Sequence, residues 1–352
     1  HKKCQIYSKM NKKIFAITIL LLFTLGCTAG TAKKSKDIDI RIGLTGPVIE
    51  FLKNTPPPRI FEGDKFPVVV KIRNTGATNI KEDQAFLSLG VEKDYTKSIQ
   101  LVYGGNVHLY SGLKTENTAT FGLEGKSTIN QKGAEEIVSY NIVAGKVDPQ
   151  SEFHSSAVIA TLCYPYETIL DTTICMDTDP NNLRPGKKVC RLQDAVFSNG
   201  QGSPVAITKI EIQMLPSQDS QQNPNGYGKI IPHFLIFLEN KGPGIVIKND
   251  AIREFCTQGK IIHEKFNVIY VKAYLPGSSG PQELDCQPKE KKDSTEKQGY
   301  VKLKDKKDII RCTLREGIDG TLDPYLSPLK VEMSYGYTQS ISSNYMIQKT
   351  AR

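Results

Sequence analysis

Six cysteines are the residues best suited to covalent chemistry in this 352-residue chain: Cys163, Cys175, Cys190, Cys256, Cys286 and Cys312. A catalytic thiol needs a histidine base, and a zinc site needs ligands at short spacing. The five histidines (His1, His108, His154, His233, His263) are scattered, and there is no Cys-x-x-Cys or Cys/His pair at ligand spacing. An even set of cysteines in an exported chain reads instead as disulfides. Spacing leaves the connectivity open. Cys175 can join Cys163 across a strand bend or Cys190 across a polar loop, while Cys286 and Cys312 bracket a lysine-rich loop. If a boundary falls near residue 197, each half holds three cysteines, so either a thiol stays free or one bridge joins the halves.

Two other sets could bind. Asp177-x-Asp179-x-Asn181 matches the opening of a calcium loop, in which alternating oxygens face one cation. The match then fails, because Asn182 stands in place of the sharp-turn glycine and Lys188 in place of the closing glutamate. An ordinary polar turn is expected there. The pairs Tyr164-x-Tyr166 and Tyr335-x-Tyr337 could form an aromatic platform for sugar or protein. Same-face strand residues packing a sandwich edge are the expected reading. The nucleophile-elbow, zinc-protease, phosphate-loop and dinucleotide motifs are missing from the sequence. A non-enzymatic protein without cofactor or metal is therefore expected.

These residues sit in a chain that is written twice. Val48-Ile49-Glu50-Phe51 returns as Lys209-Ile210-Glu211-Ile212. Val68-x-Val70-x-Ile72-x-Asn74-x-Gly76 returns as Phe234-x-Ile236-x-Leu238-x-Asn240-x-Gly242. Ala160-x-Leu162-x-Tyr164-x-Tyr166 returns as Val331-x-Met333-x-Tyr335-x-Tyr337. The offsets are 161, 166 and 171 residues, so the copies drift by a few loop residues. Period-2 alternation ending at Asn-x-Gly reads as a strand entering a turn that needs a positive φ. Strands are expected at 86–90, 118–122, 137–143, 157–166 and 173–176 in the first copy. In the second they fall at 205–215, 266–275, 300–303, 309–314, 329–337 and 343–348, with one short helix at 250–258. The mixed-charge stretch 288–307 reads as a solvated loop. The pattern predicts an all-β chain: two tandem immunoglobulin-like β-sandwich domains after an N-terminal signal or anchor segment. The domains span 38–196 and 205–352, joined by a hinge-like linker at 197–204.

Met10 reads as the start, with 1–9 an upstream extension and 10–37 a leader and tether. Lys12 and Lys13 precede an apolar run from Ile14 to Leu25, shorter than the ~20 residues of a bilayer span and suited to a signal peptide. Thr24-Leu25-Gly26-Cys27 resembles a lipobox, which would lipidate Cys27. Cleavage after Ala32 and an uncleaved anchor are the alternatives. The formal net charge is +9, but the first 36 residues hold eight lysines and no acid, leaving +1 on the rest. That near-neutral body gives no case for nucleic-acid binding.

The strand motif Val68 to Gly76, its copy Phe234 to Gly242, and the segments Cys163-Tyr164-Pro165-Tyr166 and Ile174-Cys175 resemble CARDB-type and related immunoglobulin-like modules of prokaryotic surface proteins. The whole chain is similar to tandem-domain envelope proteins of small-genome archaea. The resemblance implies adhesion, scaffolding or assembly at the cell surface, with an envelope protein or glycan as partner and the membrane held through the N-terminus. A carbohydrate-binding module of an envelope polysaccharide system is the alternative, and it requires Tyr164 and Tyr335 to be exposed.

Overall fold

The computed structural model describes residues 39–102, 104–110, 117–217, 228–259, 262–291 and 294–350. The leader, Cys27 and the lysine tether lie outside the described residues. The chain is an all-β sandwich protein, with one α-helix of two turns at Ile252–Gln258 among the described residues. The residues from Asp39 onward form one compact unit.

Two strands of 24 residues each, Phe153–Met176 and Tyr325–Gln348, form the spine. They pair antiparallel without a slip from Phe153↔Gln348 to Met176↔Tyr325. Each was expected as two shorter strands. Residues 167–172 and 338–342 contain neither glycine nor proline and keep the alternation, so nothing in the chain ends the strand there. The spine lies at the centre of a ten-stranded sheet. Ile80–Val91 and then Thr118–Leu123 flank it on the first-copy side, and Val268–Gly277 and Gly280–Glu283 on the other. One four-stranded sheet (Pro47–Phe51, Lys65–Asn74, Glu135–Ala144, Thr96–Val102) comes from the first copy. A six-stranded sheet containing Val205–Pro216, Lys229–Asn240 and Lys307–Thr313 comes from the second.

One large hydrophobic cluster runs through both copies, and a smaller one lies under the short helix. Val68, Val70 and Ile72 meet Phe234, Ile236 and Leu238 in one cluster with the spine tyrosines, and every one is fully or almost fully buried. The joint at 197–204 corrects the hinge expectation. Gln201 through Ala206 are buried, and a buried segment must satisfy its backbone groups. Gly202 does so in both directions, donating to the Gly43 carbonyl and accepting from Ala77 N–H, each at 2.8 Å. The Gln201 amide clamps Ile207 through both its carbonyl and its N–H.

The register also corrects one of the three repeats. Pro47 pairs with Asn74 and Val205 with Asn240. Pro47 and Val205 are thus equivalent, and Ile49 corresponds to Ile207 rather than to Ile210. A bulge between Ile207 and Lys209 shifts the second copy by one residue, and the apparent match lies three residues beyond the true one. The other two repeats hold in register.

All six described cysteines are paired. Cys175–Cys190 and Cys286–Cys312 each close a loop within one copy, and Cys163–Cys256 joins the copies at a Cα separation of 6.0 Å. The last bridge binds the short helix to the outer face of the spine, where Ile252 lies against Gly336.

Candidate functional site

The repeated tyrosines define the inner side of the spine. Tyr164, Tyr166, Tyr335 and Tyr337 are at most 1% exposed and contact one another with ring centroids 5.6–6.4 Å apart. They are packing residues and form no exposed platform. Two of them bind the Asn-x-Gly corners in the same way. The Tyr166 and Tyr337 hydroxyls each lie 3.2 Å from the side-chain oxygen of Asn74 or Asn240. Each asparagine oxygen also accepts the N–H of the glycine two residues on, and its amide donates to the carbonyl four residues on. Neither Gly76 nor Gly242 has a positive φ. Glycine is required there because a Cβ would run into the hydroxyl of Tyr166 or Tyr337. Burial raises the pKa of both phenols, Tyr337 to about 12, so the corners are held by neutral hydroxyls.

The Asp177 loop is closed by its own cation. Lys188 Nζ lies 2.6 Å from Asp177 Oδ2 and 2.5 Å from the Asp179 carbonyl. The Asp179 carboxylate accepts the backbone N–H groups of Leu183 and Arg184 at 2.8 and 3.0 Å. Burial opposes its ionisation, but these donors with the Lys188 and Arg184 charges hold its pKa below the usual value. Lys188, which replaces the closing glutamate of a calcium loop, supplies the positive charge that a calcium ion would. Asn181 is exposed and takes no part. Among the described residues no group of three or more His, Cys, Asp or Glu could hold a metal.

A concavity of about 1160 Å³ lies on the opposite, outer face of the spine. Stretches of chain far apart in sequence line it. Pro165, Glu167 and Ser334 come from the spine, and Lys81, Asp83 and Phe86 from the neighbouring strand. His108 and Tyr110 come from the next hairpin, and Lys248, Asp250, Arg253 and Tyr270 from the second copy. Each copy therefore supplies one wall.

Each wall carries a tyrosine, and a cation from the second copy lies against each ring. The Arg253 guanidinium lies 5.3 Å from the centroid of the Tyr110 ring, which meets Phe86 edge-on at 5.6 Å. Opposite, Lys248 Nζ is 5.8 Å from the centroid of the Tyr270 ring. Glu290 joins that pair, accepting from Lys248 at 2.9 Å and from the Tyr270 hydroxyl at 2.8 Å. The hydrogen bond to Glu290 raises the Lys248 pKa. Burial first, then Glu290, pushes Tyr270 up to about 12. Lys248 and Tyr270 together keep Glu290 ionised. Glu290 belongs to the stretch read as a solvated loop. That stretch is in fact anchored, by this triad, by Lys289 on Asp285 at 2.7 Å and by a strand at Gly299–Lys302. On the first-copy rim Asp83 adopts φ 59°, where the strand slips register between Ile80 and Ala85 and turns its side chains outward.

Three cations (Lys81, Lys248, Arg253) face three acids (Asp83, Glu167, Asp250) around half-buried aromatic faces. Such a surface suits a polar ligand of little net charge, met by ring faces and many hydrogen bonds. None of the sequence candidates lines the cleft except Tyr166, from beneath. Its residues come from distant segments and share no spacing. The one local sign was the placing of Lys248 and Asp250 just before the helix.

No protein-family model and no curated protein matches the sequence. Among solved structures, the C-terminal domain of the Streptococcus pyogenes antigen I/II-family protein AspA aligns over 87% of this chain and 100% of that chain, at 6% identity and a TM-score of 0.20. A likeness that slight bears on neither fold nor role.

Proposed function

We propose that this chain is a non-enzymatic, exported cell-envelope protein that acts in surface adhesion or assembly by holding an extended partner in the outer cleft. The supporting observation is that the two copies each supply one wall of the cleft and are locked together beside it by Cys163–Cys256. A site built between rigid elements needs little ordering when it binds. Three disulfides fit a protein that folds in an oxidising, extracytoplasmic compartment. Residues 10–37 would tether it, with Cys27 as the lipidated residue.

A partner protein is the leading reading, with a glycan second. The glycan reading no longer rests on Tyr164 and Tyr335, which are buried. It rests on Tyr110 and Tyr270, whose half-buried faces line the cleft. Cross-linking mass spectrometry on intact producing cells tests both. A reproducible protein neighbour joined near the cleft, and lost in a Tyr110→Ala/Tyr270→Ala variant, is the expected result. Retention on the envelope with no protein neighbour would move the assignment to glycan. A neighbour unaffected by the double substitution would remove the cleft from the function.

A further inference from the structure

The two copies differ at one point of their shared core. Tyr164 and Tyr335 are equivalent residues on the spine. The Tyr335 hydroxyl has two partners, the Thr168 hydroxyl at 3.0 Å and the backbone N–H of Val205 at 3.4 Å. The equivalent of Val205 is Pro47, which has no N–H to give. The equivalent of Thr168 on the partner spine strand is Gln339, whose amide Nε2 reaches past to the Pro47 carbonyl at 2.6 Å. Among the described residues the Tyr164 hydroxyl makes no hydrogen bond, while its ring is packed in the core.

A cavity of about 380 Å³ lies at that hydroxyl, within the roughly 300–1,000 Å³ of small-molecule sites. Its walls are mainly apolar: Ile49, Pro204, Pro243, Phe255 and Ile341. Val48 and Ile245, 45% and 48% exposed, stand on its rim. Among the lining hydroxyls, Thr45 pairs with Thr75 and Ser340 with Thr161. A hydroxyl lacking a bond in an apolar chamber favours an occupant that brings its own acceptor.

We propose that this cavity is a binding site for a small neutral molecule with an apolar body and a single carbonyl or ether acceptor, which Tyr164 recognises by donating its hydroxyl. The site is separate from the outer cleft and does not depend on the function proposed for it. It exists because Pro47 and Gln339 replace the residues that close the same position in the second copy.

Fluorine NMR on the full disulfide-bonded chain tests the assignment, with para-fluoroacetophenone as the probe and para-fluorotoluene as its counterpart lacking the carbonyl. The ketone should bind about fivefold tighter than the hydrocarbon, as one neutral hydrogen bond allows. Tyr164→Phe should abolish that difference while leaving the melting temperature unchanged, since the hydroxyl makes no bond in the free protein. Pro47→Val/Gln339→Thr, which rebuilds the second copy's closure, should weaken binding of the ketone. Equal binding of both probes by the unaltered chain would overturn the proposal. So would a preference that survives Tyr164→Phe, or no binding of either probe at low millimolar concentration.

Discussion

The four spine tyrosines are chemically alike, and their neighbours decide what each does. Burial raises the pKa of all four. A phenol whose folded pKa is raised lends stability that is complete below its unfolded value, near 10, and is lost as pH rises through the folded value. For Tyr337 that window runs from roughly 10 to about 12. An ultraviolet difference titration should show these tyrosines ionising only together with alkaline unfolding, after the exposed ones. Early ionisation of the full tyrosine complement would contradict the buried placement. Tyr335→Phe should also lower stability by about 1–2 kcal/mol, because it leaves Val205 N–H and Thr168 short of a partner. Chemical denaturation measures this, and Tyr164→Phe serves as the silent control. The pairs were legible in sequence as same-face strand residues. Their hydroxyl partners were not, since Asn74, Thr168 and Val205 reach them only through tertiary contact.

At the level of elements, alternation showed where strands run but not which strands meet. Val68 to Asn74 and Phe234 to Asn240 were readable because each alternates cleanly into an Asn-x-Gly corner. The pairing of Phe153–Met176 with Tyr325–Gln348 joins residues some 170 apart and leaves no local signature. The short helix was legible from 250–258, whereas its attachment through Cys163–Cys256 was not, because cysteine spacing fixes no connectivity. That bridge closes a separation of 93 residues, long enough for its removal to cost about 4 kcal/mol through unfolded-state entropy. Cys163→Ala/Cys256→Ala should lose about that much in denaturant titration. Amide exchange should also rise in Ile252–Gln258, which is tied to the sheet on one side only. Unchanged protection of the helix would mean that Ile252 packing on Gly336 holds it without the disulfide.

For the whole molecule, duplication and independence are separate properties. Two tandem domains with a hinge would each close their own core and melt on their own. Here the copies share a ten-stranded sheet and a common main core, and the joint between them is buried from Gln201 on. Separating the halves would strip a 24-residue spine strand of its partner and expose an unpaired edge, a form prone to aggregate. The body should therefore unfold in a single calorimetric transition, with equal calorimetric and van't Hoff enthalpies. The Cys163→Ala/Cys256→Ala variant should do the same at a lower temperature, because the shared strands rather than the bridge couple the copies. Two resolved transitions in that variant would show that the disulfide carries the coupling. Two transitions in the unaltered chain would show that the copies behave as separate domains despite the common sheet, and a cleft with one wall from each would then have no fixed width to offer a partner.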